Sequence, residues 1–79
     1  MNCLKDLREN KNLTQEKIAK EISCSQTTYS RYESSEINIP IETLKKLAIY
    51  YNTSVDYIIG LTDVKHPYKR STKHKFKIK

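Results

Sequence analysis

The sequence predicts an all-α body of five short helices with a basic C-terminal extension, and three observations predict it. Apolar residues recur at three- and four-residue spacings through most of residues 1–63. Residues that start helices (Thr14, Ser25, Pro40 and Ser54) stand just ahead of four of those runs. Only one glycine is present, Gly60, which fits a compact helical body better than a disordered or fibrous chain. At 79 residues there is room for one domain, at a size where only about 60% of the unfolded surface can be buried. The body is assigned to residues 1–63 and the extension to residues 64–79.

In chain order, Leu4 and Leu7 set a first helix over about Cys3 to Asn10, which Asn10, Lys11 and Asn12 bring to an end. Thr14 can cap a second helix whose buried face is Ile18, Ala19 and Ile22, and Glu16 complements its positive end. Ala19 is short, as a close helix crossing requires. Ser23 and Cys24 interrupt the pattern, and Ser25 caps a third helix over about Gln26 to Ser34. Tyr29 and Tyr32 fall on its inner side. Its outer side presents Gln26, Thr27, Ser30 and Arg31, where an ordinary solvated face would favour Lys and Glu.

Residues 34–39 read as loop, and Pro40 suits the first turn of a fourth helix, where its missing amide proton costs nothing. Ile41, Leu44, Leu47, Ala48 and Tyr51 make the core stripe, and Asn52 can close that helix in a left-handed cap. Ser54 caps a short fifth helix through Val55, Tyr57, Ile58 and Ile59, ended by Gly60. Beyond Leu61 the periodicity disappears. Lys73 to Lys79 alternate charged and apolar residues, a pattern that allows a short strand if Phe76 and Ile78 find an edge to bury against.

The net charge of +6 is distributed unevenly. Residues 1–63 carry eight Lys or Arg against nine Asp or Glu, whereas residues 64–79 carry seven bases and no acid. Basicity therefore belongs to the tail, and any case for nucleic-acid binding by the body rests on its residue pattern. Phosphate loops rich in glycine are excluded. No apolar run approaches the roughly 20 residues that span a bilayer, and no signal-peptide core opens the chain, so no membrane association and a cytoplasmic location are expected. Cys3 and Cys24 are then expected to be reduced thiols. The spacings of Cys3, Cys24, His66 and His74 match no metal site, and no cofactor is expected. An enzyme is the weakest reading, because no Cys/His, Ser/His or paired-carboxylate set stands out.

The segment from Thr14 to Glu33 joins two short helices by a tight turn, with a small residue in the first and a polar outer face on the second. That is the helix-turn-helix plan. A major groove about 12 Å wide admits one helix, which a crossing partner helix can hold in place. Gln26 is the sharpest candidate for base readout, since its amide matches adenine N6 and N7; the competing reading is a solvated first-turn residue. Arg31 can grip guanine or phosphate, or pair with a nearby carboxylate.

Three stretches carry a resemblance: Leu13-Thr14-Gln15-Glu16-Lys17-Ile18-Ala19, Ser25-Gln26-Thr27-Thr28-Tyr29-Ser30-Arg31-Tyr32-Glu33, and Ser54-Val55-Asp56-Tyr57-Ile58-Ile59-Gly60. Over residues 4–63 the chain resembles the Cro and phage-repressor-like helix-turn-helix domains. The resemblance implies a compact five-helix, lambda-repressor-like DNA-binding domain. It places Thr14 and Gln15 at the backbone-contacting start of the second helix, Gln26, Thr27, Thr28 and Arg31 at base edges, and Asn38 near phosphate. Ser25 and Ser30 complete the expected DNA-binding set. It also implies a structural ion pair between Arg8 and Glu33, and a core-plugging role for Cys24. The family's usual glycines are replaced by Ser23 and Ser35, and Glu36, Ile37 and Ile39 stand where many relatives carry basic residues, which weakens the phosphate grip of the body.

The function implied is sequence-specific transcriptional regulation, repression above all, by a homodimer on a palindromic operator in double-stranded DNA. Tyr57, Ile58 or Leu61 would supply the dimer surface, or else complete the monomer core. One alternative is a DNA-binding antitoxin that engages its toxin through the tail. Another is a protein-interaction module with no affinity for DNA. The tail itself can be an arm on phosphate, a dimer element built on Phe76 and Ile78, or a disordered extension.

Overall fold

A computed structural model describes residues 2–67, and among them the regular structure is entirely helical: α1 (Leu4–Asn10), α2 (Gln15–Glu21), α3 (Gln26–Glu33), α4 (Ile41–Tyr50) and α5 (Val55–Ile58). Each expected helix is present within a residue or so of its expected bounds. The side-chain oxygens of Thr14, Ser25 and Ser54 accept the amide protons of Lys17, Thr28 and Tyr57 at 3.1, 3.1 and 3.0 Å. Caps of this kind are worth about 1 kcal/mol each. Pro40 occupies the cap position itself (φ −57, ψ 147) rather than the first helical turn. At α1 the work is done by Asn2, whose Oδ1 accepts from Leu4 N–H at 3.1 Å and whose Nδ2 donates to the Tyr32 carbonyl at 2.9 Å.

All five helices stop by the same device. A residue with positive φ follows each: Asn12 (57), Ser23 (62), Ser35 (63), Asn52 (54) and Gly60 (88). At every one, the left-handed residue's N–H returns to the carbonyl three residues back, and the next N–H returns to the carbonyl five back. After α3, for example, Ser35 N–H donates to Tyr32 O at 3.2 Å and Glu36 N–H to Arg31 O at 3.0 Å. This is the Schellman arrangement, which satisfies carbonyls that a helix end leaves orphaned. The chain makes four of these turns without glycine, accepting the strain of a Cβ in the left-handed region.

The core lies between the helices: Leu4 and Leu7 from α1, Ile18 and Ala19 from α2 with Ile22 just after it, Tyr29 and Tyr32 from α3, Leu44, Leu47 and Ala48 from α4 with Tyr51, and Ile58 from α5. Helix α2 packs on α3, and α4 on α5. Cys24 is half-buried against this core, as expected of a plug in the turn. Cys3 ties the N-terminus to α5, its N–H donating to Ile58 O at 3.2 Å and its thiol to Tyr57 O at 3.4 Å. Both cysteines are free thiols, and burial pushes both above the usual thiol range.

Of the two roles expected for Tyr57, Ile58 and Leu61, dimer surface or monomer core, the core is the one that Ile58 takes. Ile58 is completely buried and belongs to the monomer core, so it offers no dimer surface. Tyr57 packs partly against the same core, while Leu61 is 73% exposed. The first residues of the extension also lie against the body: the buried Thr53 hydroxyl donates to the Lys65 carbonyl at 2.6 Å. The strand pattern at 73–79 and the tail beyond Pro67 lie outside the described residues. No helix among the described residues is long and apolar enough to cross a membrane.

Candidate nucleic-acid interface

The position of α3 is set from behind. Tyr29 and Tyr32, three apart, bury their rings and orient the opposite face outward. Both tyrosines thus fall on the inner side of the helix, as expected. The hydroxyls of Tyr29 and Tyr51 are enclosed in the core without a well-formed hydrogen bond. Burial pushes the Tyr29 hydroxyl far above its ordinary range, and the neighbouring Tyr51 and Glu33 push in the same direction.

A second support is the Arg8 and Glu33 pair, as expected from the sequence. The guanidinium engages both carboxylate oxygens, Nε on Oε2 and Nη2 on Oε1 at 3.2 Å, while Nη1 donates to the Leu13 carbonyl at 2.8 Å. Gln15 Nε2 adds a further bond to Glu33 Oε1 at 3.1 Å. The two charged side chains are only 12% and 6% exposed. Burial alone would raise the Glu33 carboxyl, but the bonds from Arg8 and Gln15 outweigh it and hold the group below the usual carboxylate range. In turn Glu33 raises the Arg8 guanidinium further. This cluster joins α1, the loop after it, α2 and α3, and so fixes the start of α2 relative to the end of α3.

With α3 held in this way, six residues line one open, polar concavity on the surface: Gln15 from α2, Gln26, Thr27, Ser30 and Arg31 from α3, and Glu36 from the loop beyond. Gln26, Thr27 and Arg31 are exposed; Gln15 and Ser30 are half-buried. Five of the nine residues expected to meet DNA therefore share one surface. The other four are placed differently. Ser25 is committed to its cap and also donates from Oγ to Thr28 Oγ1 at 2.9 Å, so Thr28, half-buried, supports the start of α3. Thr14 borders a separate shallow surface with Glu16, Lys17 and Lys20. Asn38 borders a groove of mixed polarity with Asn2, Ser35, Ile37, Ile39, Leu44 and Ile59.

Glu36 is the residue that sequence reasoning placed in a loop and did not place in the site. Its Oε1 lies 3.7 Å from Nε of Arg31, with the two side chains 64% and 56% exposed. The available signal was the left-handed position at Ser35: a Schellman turn brings the residue after it back over the last helical turn.

This geometry, a buried-backed α3 crossing α2 with a shared polar outer surface, is matched by a comparison with known families. The family described as Helix-turn-helix matches residues 4–58. The chain belongs to that family. Three relatives indicate its setting. Over 64 residues it is 41% identical to the HTH-type transcriptional regulator YobD of Bacillus subtilis strain 168, covering 81% of this chain and 57% of YobD. It is 34% identical to the HTH-type transcriptional activator BcrR of Enterococcus faecalis, over 72% of this chain and 28% of BcrR. It is 32% identical to the cryptic phage CTXphi transcriptional repressor RstR of Vibrio cholerae, over 72% of this chain and 51% of RstR. The chain thus spans about half the length of YobD and RstR and a smaller part of BcrR. The match falls on the helical body and includes all of α1 to α5.

Proposed function

We propose that this chain is a sequence-specific DNA-binding transcriptional regulator that reads the major groove with α3. The observation that carries the reading is the surface on which Gln26, Thr27, Ser30 and Arg31 meet Gln15. These side chains can hydrogen-bond base edges: Gln26 as a two-point partner of adenine, Arg31 of guanine, and Thr27 and Ser30 as adaptable donors or acceptors. Thr14 and Asn38, each on a separate surface, are assigned to phosphate contacts, while Ser25 and Thr28 hold the first turn of α3. The names of the relatives support regulation of transcription, and they include both an activator and a repressor. Repression, by occupying an operator, is the simplest mode, since it requires no catalysis and no cofactor. The site of action is the cytoplasm.

An eight-residue helix is about 12 Å long and meets too few base pairs to be selective alone. A homodimer on a palindrome with half-sites about one helical turn apart supplies the rest. The exposed Ile59 and Leu61, at the end of α5, are the apolar residues assigned to that contact.

Selection of binding sites from random DNA at a stated salt concentration tests the reading, and a palindromic motif is the expected result. Gln26→Ala is expected to weaken binding to that motif by about 1–3 kcal/mol and to relax one base position in each half-site. Equal weakening on all sequences would reject base readout by Gln26.

A further inference from the structure

We propose that Glu36 is a specificity-determining residue of the DNA face, one that makes stable contact with DNA conditional on Arg31 engaging a base. The inference rests on the reading of α3 as the groove-binding helix and deepens it.

The placement begins in the backbone. Ser35 takes up φ 63, which turns the chain so that Glu36 N–H closes on the Arg31 carbonyl at 3.0 Å. Two residues five apart in sequence are thereby brought side by side, with Nε of Arg31 3.7 Å from Oε1 of Glu36. Both line the concavity that holds Gln15, Gln26, Thr27 and Ser30. A carboxylate at this point is unusual chemistry for a surface that meets a polyanion, because non-specific attraction comes from cations facing phosphates. The remainder of residues 1–63 has no surplus of base over acid to mask it.

The guanidinium has five N–H donors in a fixed plane, enough to keep a carboxylate on one edge and offer another edge to guanine O6 and N7. When Arg31 takes a guanine, the ion pair persists and Glu36 stays compensated. When the sequence offers no such partner, Arg31 can bind only by swinging to a phosphate, and Glu36 is left unpaired against the DNA. The acid therefore weakens binding to wrong sequences more than binding to the right one, and specificity rises through loss of the competing complexes.

The test compares wild type and Glu36→Gln on two duplexes over a salt series: the motif selected by wild type, and a scrambled duplex of the same composition. The amide keeps the shape and removes the charge. Glu36→Gln is expected to bind the scrambled duplex about tenfold more tightly and the motif less than about threefold more tightly, so the ratio of the two falls. Glu9→Gln, which removes the same charge from α1 outside the concavity, should leave that ratio unchanged. Equal tightening on both duplexes by Glu36→Gln overturns the proposal, as a plain charge effect. Weaker binding to the motif with no change on the scrambled duplex also overturns it, and makes Glu36 a direct base contact instead. If wild type selects no motif, the reading of α3 fails and this inference with it; a clear motif with an unchanged ratio removes only the role of Glu36.

Discussion

Glu33 shows how one side chain can serve the site without touching a ligand. It is almost wholly enclosed, and its charge is tolerated because Arg8 and Gln15 together direct three donors at its two oxygens. Removing one partner of such a pair leaves an uncompensated buried charge, so Arg8→Ala is expected to lower stability by about 3–5 kcal/mol, measured by urea unfolding. The pH dependence has a definite sign. The folded carboxyl titrates lower than the unfolded one, so its stabilisation is fully present above the unfolded range near pH 4.3. It is lost as pH falls from there through the lower, folded pKa. Stability should accordingly drop in acid below about pH 4.3, and Glu33→Gln should show a smaller drop over the same window. An equal acid loss in that variant would place the titration elsewhere. The sequence announced the pair only through resemblance; Gln15, expected at the DNA backbone, turns out to have its amide nitrogen committed to Glu33 as well.

At the level of the element, the helices are short because start and stop signals come close together. Three Ser or Thr caps open them, and five left-handed residues close them. The starts were legible, since capping depends on a side chain that can be read directly. The stops were legible in part: Asn52 and Gly60 were expected to close their helices, and Ser23 and Ser35 stand where the family's glycines do, but nothing in Asn12 demands φ near 60. That conformation follows from where the next segment must go. Glycine at the two serines should relieve the Cβ strain. Ser23→Gly and Ser35→Gly are each expected to stabilise the protein by about 0.5–1 kcal/mol, read as a rise in Tm of a few degrees. Asn52→Gly should gain less, because asparagine already tolerates the left-handed region. A fall in Tm for either serine variant would show that the side chain makes a contact worth more than the strain.

For the molecule as a whole, charge and packing divide along the chain. The body packs its core from all five helices, while the excess base sits at Lys65 and in residues 69–79. Contact with the body continues past residue 63, because the Thr53 hydroxyl donates to the carbonyl of Lys65. Deletion should therefore be made after Pro67. Removing residues 68–79 takes away six cations and is expected to leave Tm within a degree or two, to flatten the salt dependence of DNA binding by up to about 5 log units per decade, and to preserve the selected motif. A changed motif would assign base contacts to the tail. Deleting from residue 64 instead also strips Thr53 of this partner and should lower Tm.

Periodicity and caps are local properties, decided by residues within four or five positions of one another. For that reason the number of helices, their order, and the polar outer surface of α3 could be read from the chain alone. Which side chains share a surface depends on how separate elements cross. Only the packed structure could bring Gln15 to the surface shared with Gln26 and Arg31, commit its amide to Glu33, draw Ile58 into the core and leave Leu61 outside. Those outcomes follow from filling one small interior, a constraint imposed jointly by all five helices and written in no single stretch of sequence.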